Sequence, residues 1–231
     1  MKYDVVIRCK NEIEWLPEVL LSIKNQSVKP SKIVVVDNSS NDGSLEYAEQ
    51  EGCAVVKYDK DIFNYSYALN LGFKSTTEEE ILVISAHCVL FTNESVQTLI
   101  ETRQCHNAAA VYGRQIPTTN SNPIDTRDLL TVFGRERIVY ESHPFFHNAF
   151  SLIERSAWKE SEFNEKQNGV EDRFWAKEQA LRGRKIVYEP EAIVYHEHGL
   201  NQGASMDRAM RVCKSLEELH KDDIFTWPDF N

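Results

Sequence analysis

The chain predicts an α/β fold whose mostly parallel sheet carries helices on both faces. Three observations lead there. Short, continuous apolar runs such as Ile33–Val36 and Ile81–Ile84 read as strands buried on both sides. Stretches with helical spacing separate them, which is the pattern of strand-helix-strand units. Polar residues gather just past the strands, where ligands of such sheets bind.

The elements follow in order. Asp4–Ile7 is a first strand, and Leu16, Val19, Leu20 and Ile23 then fall on one helical face. Pro17 is tolerable there because it lies in the first turn. Ile33–Val36 is a second strand ending at Asp37, and Asn38–Ser44 is a turn and cap leading to a helix that Gly52 closes. Ala54–Tyr58 is a third strand, residues 67–73 a helix and Ile81–Ile84 a fourth strand that ends at Ser85-Ala86-His87. A helix over 95–105 precedes a strand over 109–112. Residues 115–126, with Pro117 and Pro123, read as a loop. A short strand over 151–153, a helix from Glu171 stopped by Gly183, two short strands over 185–188 and 192–195, and a helix over 205–220 complete the chain.

Composition sets bounds. The 231 residues suffice for one large domain, and 42% hydrophobic with 27% charged content is ordinary for a globular protein. The net charge of -10 argues against nucleic acid as a partner, because phosphate tracking requires a clustered basic face. Five dispersed cysteines, with no C-x-x-C pair, fit reduced thiols and a cytoplasmic setting. No apolar run approaches the roughly 18 residues that cross a bilayer, and the N-terminus enters a strand directly, so neither a transmembrane segment nor a signal peptide is expected. Any membrane contact is then peripheral, at the inner face.

Chemistry is concentrated in a few places. Glu171-Asp172 puts two carboxylates at a helix start after the Gly169 loop, a placement suited to an aimed general base; acids favoured by the helix dipole are the plain alternative. Asp37 either accepts hydrogen bonds from a ribose or base or caps a helix. Trp175 either packs a sugar face or fills core. Arg114 and Gln115 are candidates for sugar contacts, Arg114 equally for a surface ion pair. His196 and His198 are two apart on a strand and share a face, so they can join His87 around a metal or serve as strand-end histidines. His143 and His147 flank Pro144–Phe146 as acceptor contacts or as packing. No G-x-G-x-x-G follows the first strand, so a dinucleotide site has little support.

The stretches Val5–Glu12, Ile33–Ser44 and Phe63–Gly72, in this order and spacing, resemble the family 2 glycosyltransferases of the GT-A, Rossmann-like fold. Tyr112–Pro117 and Tyr195–His198 look closest to bacterial rhamnosyltransferase-like members. The resemblance implies one domain over 1–231, with a nucleotide-sugar-binding half at 1–114 and an acceptor-binding, catalytic-base half at 115–231. It places Asn11, Glu12 and Asp37 at the nucleoside, with Arg8, Ser39, Asn64, Asn70 and Ser85 along the donor groove. It makes Asp172 the catalytic base, beside Glu171; Arg114, Gln115 and Trp175, read from the residues alone, are the acceptor-side candidates.

One feature departs from the family. Ser85-Ala86-His87 stands where an Asp-x-Asp pair is usual, whose last carboxylate helps hold a divalent metal. His87 can bind the metal, as in the Asp-x-His of some GT-A enzymes that transfer GalNAc. It can touch the phosphates directly as a cation, or the site can be degenerate. Imidazole suits Mn²⁺ better than Mg²⁺. The expectation is an inverting transfer from a nucleotide-sugar to a hydroxyl on a glycan or lipid-linked glycan, in surface polysaccharide assembly. The rivals are a nucleotidyltransferase, which the glycine-free Arg8–Glu12 loop disfavours, and a non-catalytic nucleotide-sugar binding module.

Overall fold

The computed structural model describes residues 1–59, 63–167, 169–197 and 206–221. The first half alternates as anticipated: β1 (Tyr3–Cys9), α1 (Leu16–Lys24), β2 (Lys32–Asn38), α2 (Ser44–Gln50), β3 (Ala54–Tyr58), α3 (Tyr65–Lys74) and β4 (Glu80–Ser85). A short β5 (Cys88–Leu90), α4 (Ser95–His106) and β6 (Ala108–Ile116) follow. The second half holds α5 (Pro123–Val132), β7 (Ile138–Tyr140), β8 (Phe150–Glu154), α6 (Arg155–Glu160), α7 (Glu171–Leu181), β9 (Lys185–His196) and α8 (Met206–His220).

The strands form a single sheet in the order β3-β2-β1-β4-β8-β6-β9-β5, with β7 also on β9. β1 runs parallel to β2 and β4, so Val6 lies level with Val34 and Val83. β8 runs against both β4 and β6, so β6 and its parallel neighbour β9 point the same way as β1. Six of the nine described strands therefore run the same way, in line with the prediction, but an antiparallel β8 is wedged into the middle and β5 and β7 run against β9. Alternation along each strand feeds two cores. Val5 and Ile7 pack with Leu16, Val19, Leu20 and Ile23 of α1 on one face. Val6, Val34 and Val83 pack with Ala68, Leu69 and Phe73 of α3 on the other. Each fully buried aliphatic side chain contributes about 1.5–3 kcal/mol.

Two glycines set close approaches. A Cβ on Gly72 would lie 2.4 Å from Val6 Cγ1, so α3 rests directly on β1. A Cβ on Gly113 would meet the Phe150 ring at 2.4 Å and the Ala192 carbonyl at 2.5 Å, so β6, β8 and β9 converge there.

Three expectations are corrected. Residues 115 and 116 continue β6, and the end of the expected loop, from Pro123, is the first turn of α5. Asn122 caps that helix by accepting from the Ile124 and Asp125 amides, and Pro123 opens it at its first position. Pro123 thus marks a helix start and not loop punctuation. The two short strands expected over 185–195 are one strand, β9; Glu189 faces Gly113 and Ile193 faces Arg114, so the Pro190 region is a bulge rather than a break.

Candidate active site

The carboxyl ends of β1 and β4 deliver Arg8, Ser85 and His87 to a cavity of about 220 Å³, also lined by Lys10, Glu12, Phe63 and Tyr65. The Arg8 guanidinium lies 4.9 Å from the Tyr65 ring centre and 3.1 Å from Glu171 Oε1. His87 Nδ1 and Glu12 Oε1 are 3.1 Å apart. A carboxylate can only accept in such a bond, so Nδ1 is its donor.

The rest of the nucleotide-binding set lies at the same sheet edge, engaged within the protein. Asp37 is buried and accepts from the Ser40 amide and hydroxyl at 3.0 and 2.5 Å. Asn11, at φ 56°, accepts from the Asn41 amide, and its own amide donates to Ser40 Oγ. These bonds tie the loop after β1 to the loop after β2. Ser39 donates to the Tyr58 carbonyl. Asn64 caps α3 through the Tyr67 amide and donates to the Glu165 carbonyl. Asn70 is a correction. It is 3% exposed, donates to the Phe163 carbonyl, and accepts from the Phe163 amide and the Trp158 indole, which makes it a core strut and not part of the groove.

A second cavity, of about 470 Å³, opens on the other side of α7. Asp172, Arg173, His147 and Gly169 line it, with Arg127, Asp128 and Thr131 of α5 and Val212 and Leu216 of α8. Gly169 takes φ 94° and turns the chain into α7. Asp172 Oδ2 accepts from the Asn148 amide at 3.0 Å, which aims the carboxylate. Its neighbour Glu171 points the other way, to Arg8. Burial, and then the adjacent Asp172 carboxylate, push Glu171 up to about 7, with Arg8 pulling it down. Successive positions on a helix are about 100° apart, and here that divergence turns Glu171 to Arg8, a wall residue of the first cavity, and Asp172 into the second.

Trp175 is a second correction. It is 2% exposed, packs with Phe146 and Phe163 and donates to the Ser161 carbonyl, so it is core and not an acceptor platform. Gln115 is a third. It is wholly buried, with its amide held between His147 and His196. Arg114 is half-buried and lines neither of the two cavities. Lys10, Phe63 and Tyr65 were not assigned roles from the sequence, although the alternation of Phe63 and Tyr65 about Asn64 was visible. Arg127, Asp128 and Thr131 escape the sequence reading because it assigns no element to residues 127–132.

The metal expectation is met in part. His87 and His196 are stacked, with ring centres 5.2 Å apart and planes at 14°. His196 Nδ1 lies 2.7 Å from Gln115 Oε1, so both rings turn Nδ1 to an oxygen. His198 lies outside the described residues. Among the described residues no group of three His, Cys, Asp or Glu could hold an ion. A metal here would need ligands beyond these two histidines, such as the oxygens of a bound diphosphate.

Comparison with known proteins agrees with this geometry. Residues 4–161 match the family described as Glycosyl transferase family 2. The O-antigen chain rhamnosyltransferase RfbN of Salmonella typhimurium (strain LT2) is 27% identical over 210 residues, 86% of this chain and 67% of that protein. WbaN of Salmonella anatum, also an O-antigen chain rhamnosyltransferase, is 26% identical over 188 residues, 77% of this chain and 60% of its own. The chain thus spans about two thirds of the length of these relatives. Among solved structures, the mannosyltransferase PcManGT of Pyrobaculum calidifontis, in complex with GDP-Man and Mn²⁺, superposes with TM-score 0.70 at 18% identity, over 95% of this chain and 63% of that one. S. aureus TarS 1-349 superposes with TM-score 0.72 at 14% identity, over 96% and 65%. The chain belongs to glycosyl transferase family 2 and is a glycosyltransferase of the GT-A fold.

Proposed function

We propose that the enzyme transfers a sugar, with inversion, from a nucleotide-sugar in the first cavity to a hydroxyl of a glycan in the second. The observation that carries this is that Asp172 lines the second cavity while its neighbour Glu171 pairs with Arg8, which lines the first. Asp172 takes the proton of the attacking hydroxyl, held for that task by the Asn148 amide. Arg8 and Lys10 face the diphosphate as charge grows on the leaving group. A divalent ion, when bound, supplies Lewis-acid stabilisation of the same oxygens. His87 Nε2 is the donor proposed for it, with His196 behind, and imidazole favours Mn²⁺ over Mg²⁺.

The names of the relatives suggest the finer reading: rhamnose as the sugar and a growing bacterial O-antigen chain, carried on lipid, as the acceptor. Exposed Ile124, Leu130 and Val132 on α5, next to the second cavity, support peripheral contact at the cytoplasmic face of the membrane. No helix of the described residues is long and apolar enough to cross it.

Asp172→Asn tests the proposal. Turnover of a nucleoside diphosphate-rhamnose with an alkyl glycoside acceptor should fall about 10²- to 10⁴-fold. Affinity for the nucleoside diphosphate, measured by calorimetry, should be retained. Near-normal turnover would remove Asp172 as the base.

A further inference from the structure

We infer that Glu171 is a positioning residue that couples the two cavities. Its carboxylate ties Arg8, in the wall of the first, to the Gly169 turn, in the wall of the second, so that a nucleotide bound on one side tightens the hold on the acceptor on the other. This rests on the reading that the two cavities hold donor and acceptor.

The bridge uses both oxygens of one carboxylate. Arg8 Nη1 donates to Glu171 Oε1 at 3.1 Å, and the Gly169 amide donates to Glu171 Oε2 at 3.2 Å. The Arg8 and Glu171 side chains are only 9% and 4% exposed, so water competes little for these bonds. Arg8 comes from β1, whereas Gly169 makes the turn at φ 94° from which α7 and Asp172 set out. A second set of bonds crosses at the same place. Asn64 and Ser66 donate to the carbonyls of Glu165 and Gln167, at 3.0 and 3.5 Å. Between them Tyr65 sets its ring 4.9 Å from the Arg8 guanidinium carbon. The segment leading to Gly169 thus rests on the same start of α3 that backs Arg8. The link reaches the start of α7 only; α5 and α8, the other helices of the second wall, lie outside it.

The sign of the coupling follows from the guanidinium. It carries five N–H donors, and Glu171 engages Nη1. Arg8 can therefore hold an anion in the first cavity without releasing Glu171. A diphosphate there restrains Arg8, Arg8 restrains Glu171, and the Gly169 turn loses freedom that the acceptor would otherwise have to remove. Linkage makes the effect reciprocal between the two ligands. An ion pair that served stability alone would be indifferent to the nucleotide.

Calorimetry on the intact chain tests this. It is done at about pH 8, above the value of about 7 to which burial and the Asp172 carboxylate push Glu171 against the pull of Arg8, so that both oxygens accept. In the wild type, saturating UDP or TDP should tighten the binding of an alkyl rhamnoside about fivefold or more, the low end of ordinary coupling between sites. Glu171→Gln keeps the volume and an oxygen for Arg8 but turns its NH₂ to the Gly169 amide, donor against donor. In this variant the tightening should shrink to about twofold or less. No tightening in the wild type, or the full ratio in the variant, overturns the inference. So do equal losses in both affinities with the ratio kept, which would make the pair structural. Should Glu171→Gln not fold, the wild type decides: UDP or TDP without acceptor should slow hydrogen exchange of the Gly169 amide, and unchanged exchange overturns the inference. Coupling found together with a fully active Asp172→Asn variant would instead sink the proposed function and leave the bridge standing.

Discussion

The two cavities are built by different means. The first is walled by the carboxyl ends of β1 and β4, and the parallel register of β1 with β2 and β4 fixes those ends together. Its loops are tied to one another by Asn11, Ser40, Asp42 and Ser44, with bonds of 2.8–2.9 Å. The second is walled by α5, α7 and α8 and by the segment around His147, which meet mainly through side chains. The contrast teaches where adaptability resides. A sheet edge holds one ligand chemistry in place, whereas helices on a surface can be recut for different acceptors. Perturbing the first wall should therefore alter stability and donor binding together, and perturbing the second should alter acceptor use with little else.

The largest expected effect lies at neither wall but at the core between them. Trp175→Ala removes an indole packed against Phe146 and Phe163 and leaves the Ser161 carbonyl without its donor. Such truncations cost about 3–5 kcal/mol. Denaturant unfolding should show that loss. Once corrected for the folded fraction, the acceptor KM should be unchanged. A raised KM in fully folded protein would return Trp175 to the acceptor site.

Glu171 comes next and has a sign. Its carboxyl is raised from 4.5 to about 7, so the folded state holds a proton that the unfolded chain releases between those values. Its contribution to stability is present in full below about 4.5 and is lost as the pH rises towards 7. At about 1.4 kcal/mol per pH unit, the change is on the order of 3 kcal/mol. Glu171→Gln removes the titration. The wild type should lose stability relative to this variant between pH 4.5 and 7, by urea midpoints. Parallel pH profiles would show that Arg8 keeps Glu171 ionised throughout.

His87→Ala sharpens the comparison from the first wall. Losing a ligand or hydrogen bond at a bound diphosphate costs about 1–3 kcal/mol. Affinity for UDP or TDP in the presence of Mn²⁺ should fall by roughly tenfold or more, with the unfolding midpoint little changed. Intact donor affinity and turnover would reduce His87 to a strand-end histidine.

How legible all this was in the sequence follows the same contrast. Ile33–Val36 and Ile81–Ile84 announced themselves because strands buried on both faces are apolar throughout. The ends of those strands led to Arg8, Ser85 and His87. Gly169 before Glu171-Asp172 gave the helix start, since a positive-φ turn and first-turn acids are local features. What the sequence hid was direction. Nothing local shows that β8 runs against β4, or that Asn70 and Trp175 turn inwards to Phe163 and Ser161 while Asp172 turns outwards. The bridge from His147 through Gln115 to His196 was hidden for the same reason, as it joins positions 32 and 81 residues apart.

The smallest expected effect tests whether the second wall is as separable as its construction suggests. Asn122 caps α5 by accepting from two amides, and it lines neither cavity. Removing such a cap costs about 1 kcal/mol, within a range of roughly 0.5–2. The helix is short and exposes Ile124, Leu130 and Val132, so that loss should appear as fraying of its first turns and not as global unfolding. Arg127, Asp128 and Thr131 would then be displaced from the cavity they line. Asn122→Ala should raise the acceptor KM a few-fold and speed hydrogen exchange across α5, with the affinity for UDP or TDP unchanged. If donor affinity falls in step with acceptor use, the two walls are mechanically one, and the separation drawn from their construction fails.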